Sequence, residues 1–320
     1  MVQIFRAISI IAVVLIHTTP VGVSEIYFRP FINFAVAAFL FLSGYLTKID
    51  NNNWAKLYKK RLLRVVIPYI IWSIVYAVIY HGAEWFYSLP VNLLKGNAAP
   101  HLYYILVYIQ FVLLAPLMGK LAQSRYRAIG WLITPLSCLV FRYFWLLPYF
   151  KPTLLFSQIT MLWENSFIAW FAFYYLGLML GNGLMEKHYS LKSLWLLYAL
   201  SLLAQMAEAF AWQQMGELNF ATQLKLSSIL SSAIFALIIY TVLQKGASGG
   251  RNGYLRLVGD YSFGIYLCHV MIIKLLNLVP YYQAIPFPVT SVIILLLSIV
   301  LCYLGNLLCG KRISGYLGLR

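Results

Sequence analysis

Ten long apolar runs divide this sequence, and they constrain the fold more than any other feature. Apolar side chains make up 62% of the 320 residues and charged ones only 10%, against about a quarter charged in a soluble domain. A helix needs roughly 20 mostly apolar residues to cross a bilayer. The sequence therefore predicts an all-α integral membrane protein of about ten transmembrane helices, in a single polytopic domain over residues 1–320. The predicted spans lie near residues 4–22, 29–47, 65–82, 101–119, 129–147, 166–183, 193–212, 226–244, 261–279 and 289–309.

Lysine and arginine are distributed unevenly between alternate connections, and this asymmetry predicts the orientation. One set of connections, together with the C-terminal tail, holds seventeen basic residues, and the other set holds four. Connections rich in Lys and Arg stay on the cytoplasmic side, so we expect both termini to be cytoplasmic. The seventeen are Lys48, Lys56, Lys59, Lys60, Arg61, Arg64, Lys120, Arg125, Arg127, Lys187, Lys192, Lys245, Arg251, Arg256, Lys311, Arg312 and Arg320. The four are Arg29, Lys95, Lys151 and Lys225.

Two features that could indicate other functions have simpler explanations. A net charge of +16 would suit nucleic acid, but proteins of that class gather their basic residues on a soluble face. Here they lie between apolar runs, so we expect no nucleic-acid partner. The four cysteines lie inside apolar runs without C-x-x-C spacing, which predicts packing residues rather than a metal site.

Ionisable residues inside apolar runs are the first functional candidates, because each is expensive in lipid unless it faces a partner or a cavity. Arg6 and His17 are eleven positions apart, about three helical turns and roughly 16 Å, so they share one helix face. With Arg6 at the cytoplasmic boundary, His17 would lie near the middle of the membrane. The alternative is that Arg6 anchors the topology and His17 hydrogen-bonds to a neighbouring helix.

A basic stripe precedes the third span. It consists of Lys56, Lys59, Lys60, Arg61 and Arg64. Arg61 and Arg64 are three residues apart and share a helix face. Such a stripe suits a phosphate-rich ligand, because guanidinium groups bind phosphate through two parallel hydrogen bonds. The alternative is contact with anionic lipid, combined with orientation of the chain.

The sequence from Asp260 to His269 reads Asp-Tyr-Ser-Phe-Gly-Ile-Tyr-Leu-Cys-His. Asp260 is predicted to cap the N-terminus of the ninth span. His269 then lies about 13 Å into that span, at a depth similar to that of His17. The alternative is that these small and polar residues serve close helix packing.

The predicted outer ends of the spans hold further polar residues. We expect Arg142 and Glu208 to form an ion pair, although they could instead line an acceptor entrance. His81 and His101 flank the connection at residues 83–100, whose aromatic residues predict a short helix lying at the membrane interface.

Five motifs occur in order along the chain. They are Arg6-x10-His17; Phe41-Leu42-Ser43-Gly44-Tyr45; Lys60-Arg61-Leu62-Leu63-Arg64 followed by Pro68-Tyr69; His101-Leu102-Tyr103-Tyr104 with Pro116 at the end of that span; and Asp260 to His269. In this order, and within ten spans, they resemble the membrane-bound acyltransferase-3 family. Ala7, Leu42 and Tyr103 stand where members commonly have Gly, Phe and Trp, which puts the acceptor in doubt rather than the chemistry.

The resemblance implies an activity and a location. Members of this family transfer acyl groups, most often acetyl from acetyl-CoA, to hydroxyls of bacterial surface glycans and related molecules. The chain is thus expected to be a multi-pass O-acetyltransferase of the bacterial cytoplasmic (inner) membrane. Acetyl-CoA would be the acyl donor, a glycan or lipid-linked sugar the acceptor, and membrane lipids the surroundings. The scheme requires no metal.

The resemblance also implies catalytic residues. Carried over position by position, Arg6 and His17 are required for transfer. His17 is suited to act as general base because an unperturbed imidazole has a pKa of about 6.5. An acyl-His intermediate is the less favoured variant. His269 is the second candidate, either for acid/base work or for orienting the acceptor.

The resemblance further implies a donor site. Arg61 and Arg64 would lie at the acyl-CoA site, where Lys60 adds charge for the CoA phosphates. Ser43 and Gly44 would allow close approach of the pantetheine arm.

A transporter or flippase for a lipid-linked saccharide is the alternative function. It would use the same buried polar residues as a pathway. It accounts for the spans, but not for the Arg-x-x-Arg and Arg-x10-His motifs.

Overall fold

The computed structural model describes residues 1–22, 24–49, 54–147, 153–185, 188–246 and 253–319. Every regular element within those ranges is a helix. Lys151, Lys187, Arg251 and Arg320, which entered the charge count, lie outside the described residues.

Fourteen α-helices are numbered here in chain order within the described ranges. They are α1 (Val2–Thr18), α2 (Ser24–Phe28), α3 (Ala35–Tyr45), α4 (Trp54–His81), α5 (Trp85–Lys95), α6 (Tyr103–Gln123), α7 (Ile129–Cys138), α8 (Leu154–Glu164), α9 (Phe167–Gly181), α10 (Leu191–Gln214), α11 (Leu226–Gln244), α12 (Gly253–Asp260), α13 (Ser262–Leu276) and α14 (Val289–Tyr316). A π-helical turn at Leu139–Tyr143 extends α7, and Gly310 interrupts α14 with a φ of 71°.

Six helical segments in the described ranges are long and apolar enough to cross a membrane, which confirms the all-α membrane fold. They are Ser24–Tyr45, Trp54–Lys95, Tyr103–Gln123, Leu191–Gln214, Leu226–Gln244 and Val289–Gly310. Helices α12 and α13, bent by 72°, add a seventh if they form one span. The number of ten crossings and the cytoplasmic termini stay predictions.

The chain forms two compact units that are interleaved along the sequence. The first contains α2, α3, the C-terminal half of α6, and α7 to α11. The second contains α1, α4, α5, the N-terminal half of α6, and α12 to α14. The single polytopic domain stays a prediction.

Glycines bring α3 and α9 of the first unit into backbone contact. A Cβ added to Gly44 would lie 2.1 Å from the Tyr174 carbonyl oxygen, and one added to Gly177 would lie 2.1 Å from the Phe41 carbonyl oxygen. Gly181 is equally close to the backbone of α3. Gly177 and Gly181 are four residues apart, the small-xxx-small spacing that lets membrane helices approach closely. Gly44 therefore has a packing role.

Two charged side chains of the first unit, those of Lys225 and Glu208, are hydrogen-bonded inside it. The Lys225 ammonium is buried and donates to the Gln205 carbonyl oxygen at 3.2 Å. Burial lowers the pKa of this ammonium to about 8. The Glu208 carboxylate accepts hydrogen bonds from the hydroxyls of Tyr143 and Ser227. Both charges thus have the partners that burial requires.

The predicted Arg142–Glu208 pair is wrong. The Arg142 guanidinium instead contacts the Glu164 carboxylate, with 2.5 Å between Nη2 and Oε1. Burial raises the pKa of this carboxyl, and the neighbouring guanidinium opposes the rise. The sequence places residues 148–165 in a connection between spans. In the structure this connection contains α8, and Glu164 is the last residue of that helix.

The short aromatic helix predicted within residues 83–100 is confirmed as α5 (Trp85–Lys95). The side chains of Phe86 and Tyr87 on this helix are exposed, as expected for a helix that lies at an interface.

Three of the four cysteines are packing residues, as predicted. Cys138, Cys268 and Cys302 are buried, whereas Cys309 is exposed. A Cβ added to Gly264 on α13 would lie 2.6 Å from the Cys302 sulfur on α14. The small residues after Asp260 therefore do serve helix packing, the alternative considered for that motif.

We expect Gly177→Ala to destabilise the protein by about 1–3 kcal/mol, the usual cost of overpacking. The new methyl group would overlap a backbone carbonyl, which cannot rotate away. Gly315→Ala is the matched control, because an added Cβ there has no neighbour within 4 Å. Thermal unfolding in detergent measures both variants. Equal unfolding temperatures for the two would contradict the close α3–α9 contact.

Candidate active site

Three histidines of the second unit meet in one cluster. His17 is next to last in α1, His269 lies on α13, and His101 lies in the turn before α6. The ring centroids are 5.1 Å apart for His17 and His269, 4.9 Å for His101 and His269, and 6.1 Å for His17 and His101. His17 and His269 therefore lie together, an arrangement compatible with the similar depths predicted for them.

The His269 ring has a defined proton position. Its Nδ1 lies 3.0 Å from the Ile265 carbonyl oxygen and 2.8 Å from that of Tyr266. Carbonyl oxygens only accept hydrogen bonds, so Nδ1 carries the proton and Nε2 carries a lone pair in the neutral ring. Nε2 is fully buried and has no hydrogen-bond partner among the described residues. His269 thus presents a buried proton acceptor.

The His101 ring is held among aromatic side chains. Its centroid lies 5.3 Å from that of Tyr76 and 5.0 Å from that of Tyr266, both edge-on. The Tyr266 hydroxyl also donates to the His101 carbonyl oxygen. Neither ring nitrogen makes a hydrogen bond of normal geometry within the described chain, although the Leu267 carbonyl faces the ring.

Buried nitrogens without partners indicate where a bound molecule gains hydrogen bonds. His101 is 2% exposed and His269 is 0% exposed, and an unsatisfied buried polar group costs about 1–3 kcal/mol. His17 is partly exposed and is the least buried of the three histidines. Among the described residues, no group of three His, Cys, Asp or Glu side chains is arranged to hold a metal ion. The chemistry these rings support is proton transfer and hydrogen bonding.

Arg6 lies at the other end of α1, in a polar chain. Its Nη1 donates to Gln3 Oε1 at 3.3 Å, and Gln3 Nε2 donates to Asp260 Oδ1 at 2.7 Å. The prediction that Asp260 caps the following helix is wrong. The N-cap of α13 is Tyr261, which makes no capping hydrogen bond. Because α12 ends at Asp260 and the chain bends there, the carboxylate faces α1 instead.

The structure brings Arg6 and Arg64 together. Arg6 interacts electrostatically with the Arg64 guanidinium, which repels it, and with the Asp260 carboxylate, which attracts it. Arg61 lies one turn before Arg64 on α4 and is half-buried, while Lys60 and Arg64 are exposed. The excess of positive charge makes this end of the second unit an attractive site for an anion.

Ser43 and Gly44 belong to the first unit. The Ser43 carbonyl accepts a hydrogen bond from the Thr47 hydroxyl at 2.8 Å, and Gly44 packs against α9 as described above. Their expected role at the donor site stays a prediction.

Two members of these arrangements were missed as site residues by reasoning from the sequence alone. His101 opens a motif, but its position beside a connection made it look like a loop residue. Gln3 is one helical turn before Arg6, and this spacing was an available signal. The contacts that matter, to His269 and to Asp260, join residues more than 160 positions apart.

These features define a multi-pass membrane protein with a buried histidine cluster and a basic site on the same helix, α1. The acyltransferase domain family matches residues 2–307, nearly the whole chain. The chain belongs to the acyltransferase-3 family and is a membrane acyltransferase. No curated protein and no solved structure matches it.

Proposed function

We propose that this protein is an O-acyltransferase of the bacterial cytoplasmic membrane. It moves an acetyl or other acyl group from acyl-CoA, with acetyl-CoA as the expected donor, to a hydroxyl of a surface glycan or lipid-linked sugar. The observation that carries the proposal is the cluster of His17, His101 and His269. Within the described part of the chain, both ring nitrogens of His101 and Nε2 of His269 are buried without a hydrogen-bond partner. The family supports acyl transfer as the reaction.

The proposed chemistry assigns His17 as general base. The acceptor oxygen attacks the thioester carbonyl while His17 takes the hydroxyl proton, so a C–O bond forms as the C–S bond breaks. His17 then returns the proton to the CoA thiolate. His269, with its bare Nε2 beside the His17 ring, is the second group able to accept a proton or to orient the hydroxyl.

The proposed donor site is the basic end of the second unit. Arg6, Arg61, Arg64 and Lys60 would bind the CoA phosphates through charge-assisted hydrogen bonds. Arg6 and His17 are separated by roughly 16 Å along α1, and the extended pantetheine arm would cover that distance. Because the charge distribution predicts that this end faces the cytoplasm, the donor would enter from the compartment where acyl-CoA is made.

Transport of a lipid-linked saccharide would use the same buried histidines as a pathway. Family membership and the adjoining guanidinium groups of Arg6 and Arg64 both favour acyl transfer. Release of free CoA from acetyl-CoA by purified protein, with a glycan acceptor present, would distinguish the two functions.

Substitution of His17 tests the proposed general base. We expect His17→Ala to lower acyl transfer by roughly 10²–10⁴-fold, the usual contribution of a general base, while the variant still inserts into the membrane. His188→Ala is the control, because His188 is exposed in a connection between helices. The measurement is transfer of labelled acetyl from acetyl-CoA in membranes, per amount of inserted protein. Near-normal turnover of His17→Ala would refute the assignment.

Substitution of Arg64 tests the proposed donor site. Loss of a charge-assisted hydrogen bond to phosphate should raise the KM for acyl-CoA about tenfold in Arg64→Ala. Arg64→Lys should restore affinity only in part, because an ammonium lacks the planar fork.

Arg125→Ala, which removes another exposed arginine, is the control and should leave the KM unchanged. Direct measurement of CoA affinity in detergent distinguishes phosphate binding by Arg64 from contact with anionic lipid. If Arg64 only contacts anionic lipid, CoA affinity will be the same in all of these variants.

A further inference from the structure

The hydroxyl of Tyr76 is built into the backbone of the helix that carries His269. Tyr76 lies on α4 and is 1% exposed. Its hydroxyl donates to the Leu267 carbonyl oxygen at 2.7 Å and accepts from the Met271 amide at 3.1 Å. In an undisturbed α-helix the amide of residue 271 bonds to the carbonyl of residue 267. The hydroxyl thus bridges the two groups of one helical hydrogen bond.

The bridged turn has His269 at its centre. His269 Nδ1 is fixed by the carbonyls of Ile265 and Tyr266, so the ring follows the backbone of this part of α13. A polar group inserted between a helical amide and its carbonyl opens and bends the helix locally. The Tyr76 hydroxyl therefore affects the direction in which His269 Nε2 points.

Tyr76 also contacts the second buried histidine. Its ring meets the His101 ring edge-on, with centroids 5.3 Å apart. One side chain thus supports the backbone beneath His269 and the ring of His101. Three nitrogens of these two rings are buried without a hydrogen-bond partner among the residues that the structure describes.

We propose that Tyr76 is a positioning residue for acyl transfer, acting through the α13 backbone to aim His269 Nε2 at the reacting hydroxyl. Tyr76 itself touches neither donor nor acceptor. This role rests on the proposed function, in which His269 takes part in the reaction. Without the hydroxyl, the Met271 amide and the Leu267 carbonyl would bond directly, the turn would tighten, and His269 would rotate with it.

The first test is Tyr76→Phe in the full-length protein, which keeps the ring against His101 and removes only the bridging oxygen. We expect kcat to fall roughly 10- to 100-fold, as small misplacements of reacting groups do. The KM for acetyl-CoA should stay unchanged, because Arg6 and Arg64 are not disturbed. A purely structural role would lower the yield of folded protein, but the folded fraction would keep the wild-type kcat. Activity is therefore divided by the amount of monodisperse protein.

Tyr80→Phe is the matched control. Tyr80 lies one turn further along α4, its ring is 6.3 Å from that of Tyr76, and it holds the Lys274 ammonium over its face at 3.6 Å. This variant also removes a hydroxyl from α4, but from outside the bridge, and should keep the wild-type kcat. Equal losses in the Tyr76 and Tyr80 variants would overturn the proposal.

A double-variant cycle tests whether Tyr76 acts through His269. In a His269→Ala background, Tyr76→Phe should change kcat by less than about twofold, because groups that act as a unit are not additive. The positioning role would be overturned if the two single-variant losses of kcat multiplied in the double variant, or if Tyr76→Phe alone left kcat unchanged. Either result would leave the proposed function standing. Full activity of His269→Ala would remove the role of His269 and the inference with it. Full activity of His17→Ala is the separate failure of the proposed chemistry.

Discussion

A polar group inside a bilayer has no water to bond to, so its partner must come from the protein itself. Several hydroxyl groups of the second unit obey this constraint. The hydroxyls of Ser9, Thr18 and Ser298 each donate to the carbonyl of the residue four positions earlier in their own helix. His269 does the same with Nδ1. Polar side chains in these helices are thus largely satisfied by the backbone beside them.

The nitrogens at the centre of the histidine cluster depart from this rule. His269 Nε2 and both ring nitrogens of His101 are buried without a hydrogen-bond partner in the described chain. Hydrogen bonds from Nδ1 to two backbone carbonyls fix the His269 ring, and the rings of Tyr76 and Tyr266 pack edge-on against His101. We expect such a site to favour a molecule that supplies a hydroxyl or a carbonyl at the right place over an apolar one, because only the former satisfies the buried nitrogens. This property connects the packing of the second unit to acyl transfer.

Helix geometry sets the spacing between the histidine cluster and the basic end of the second unit, which holds Arg6 and Arg64. Helix α1 carries Arg6 near one end and His17 near the other. Helix α4 carries both Arg64 and Tyr76. Helix α1 therefore sets the distance between Arg6 and the proposed general base, and α4 sets the distance between Arg64 and the residue proposed to position His269. Neither helix needs a loop to place these side chains, which favours a rigid spacing.

Reasoning from the sequence recovers what depends on distance along one helix. Counting residues inside each apolar run predicts similar depths for His17 and His269, although not their contact, and α5 follows from its aromatic residues. It misses what depends on which helices are neighbours. The Arg142–Glu164 contact, the bond between Gln3 and Asp260, and the position of His101 all require knowing how helices pack, and many packings satisfy the same apolar pattern. The division into two interleaved units is hidden for the same reason.

The central claim is that one acyl-CoA molecule reaches from the guanidinium groups of Arg6 and Arg64 to the histidine cluster. Electron cryo-microscopy of the full-length protein with bound CoA tests this claim most directly. The account predicts phosphate density within hydrogen-bond distance of Arg64, and the thiol sulfur beside the rings of His17 and His269. Phosphates bound away from these arginines, or a sulfur atom remote from the histidines, would contradict it.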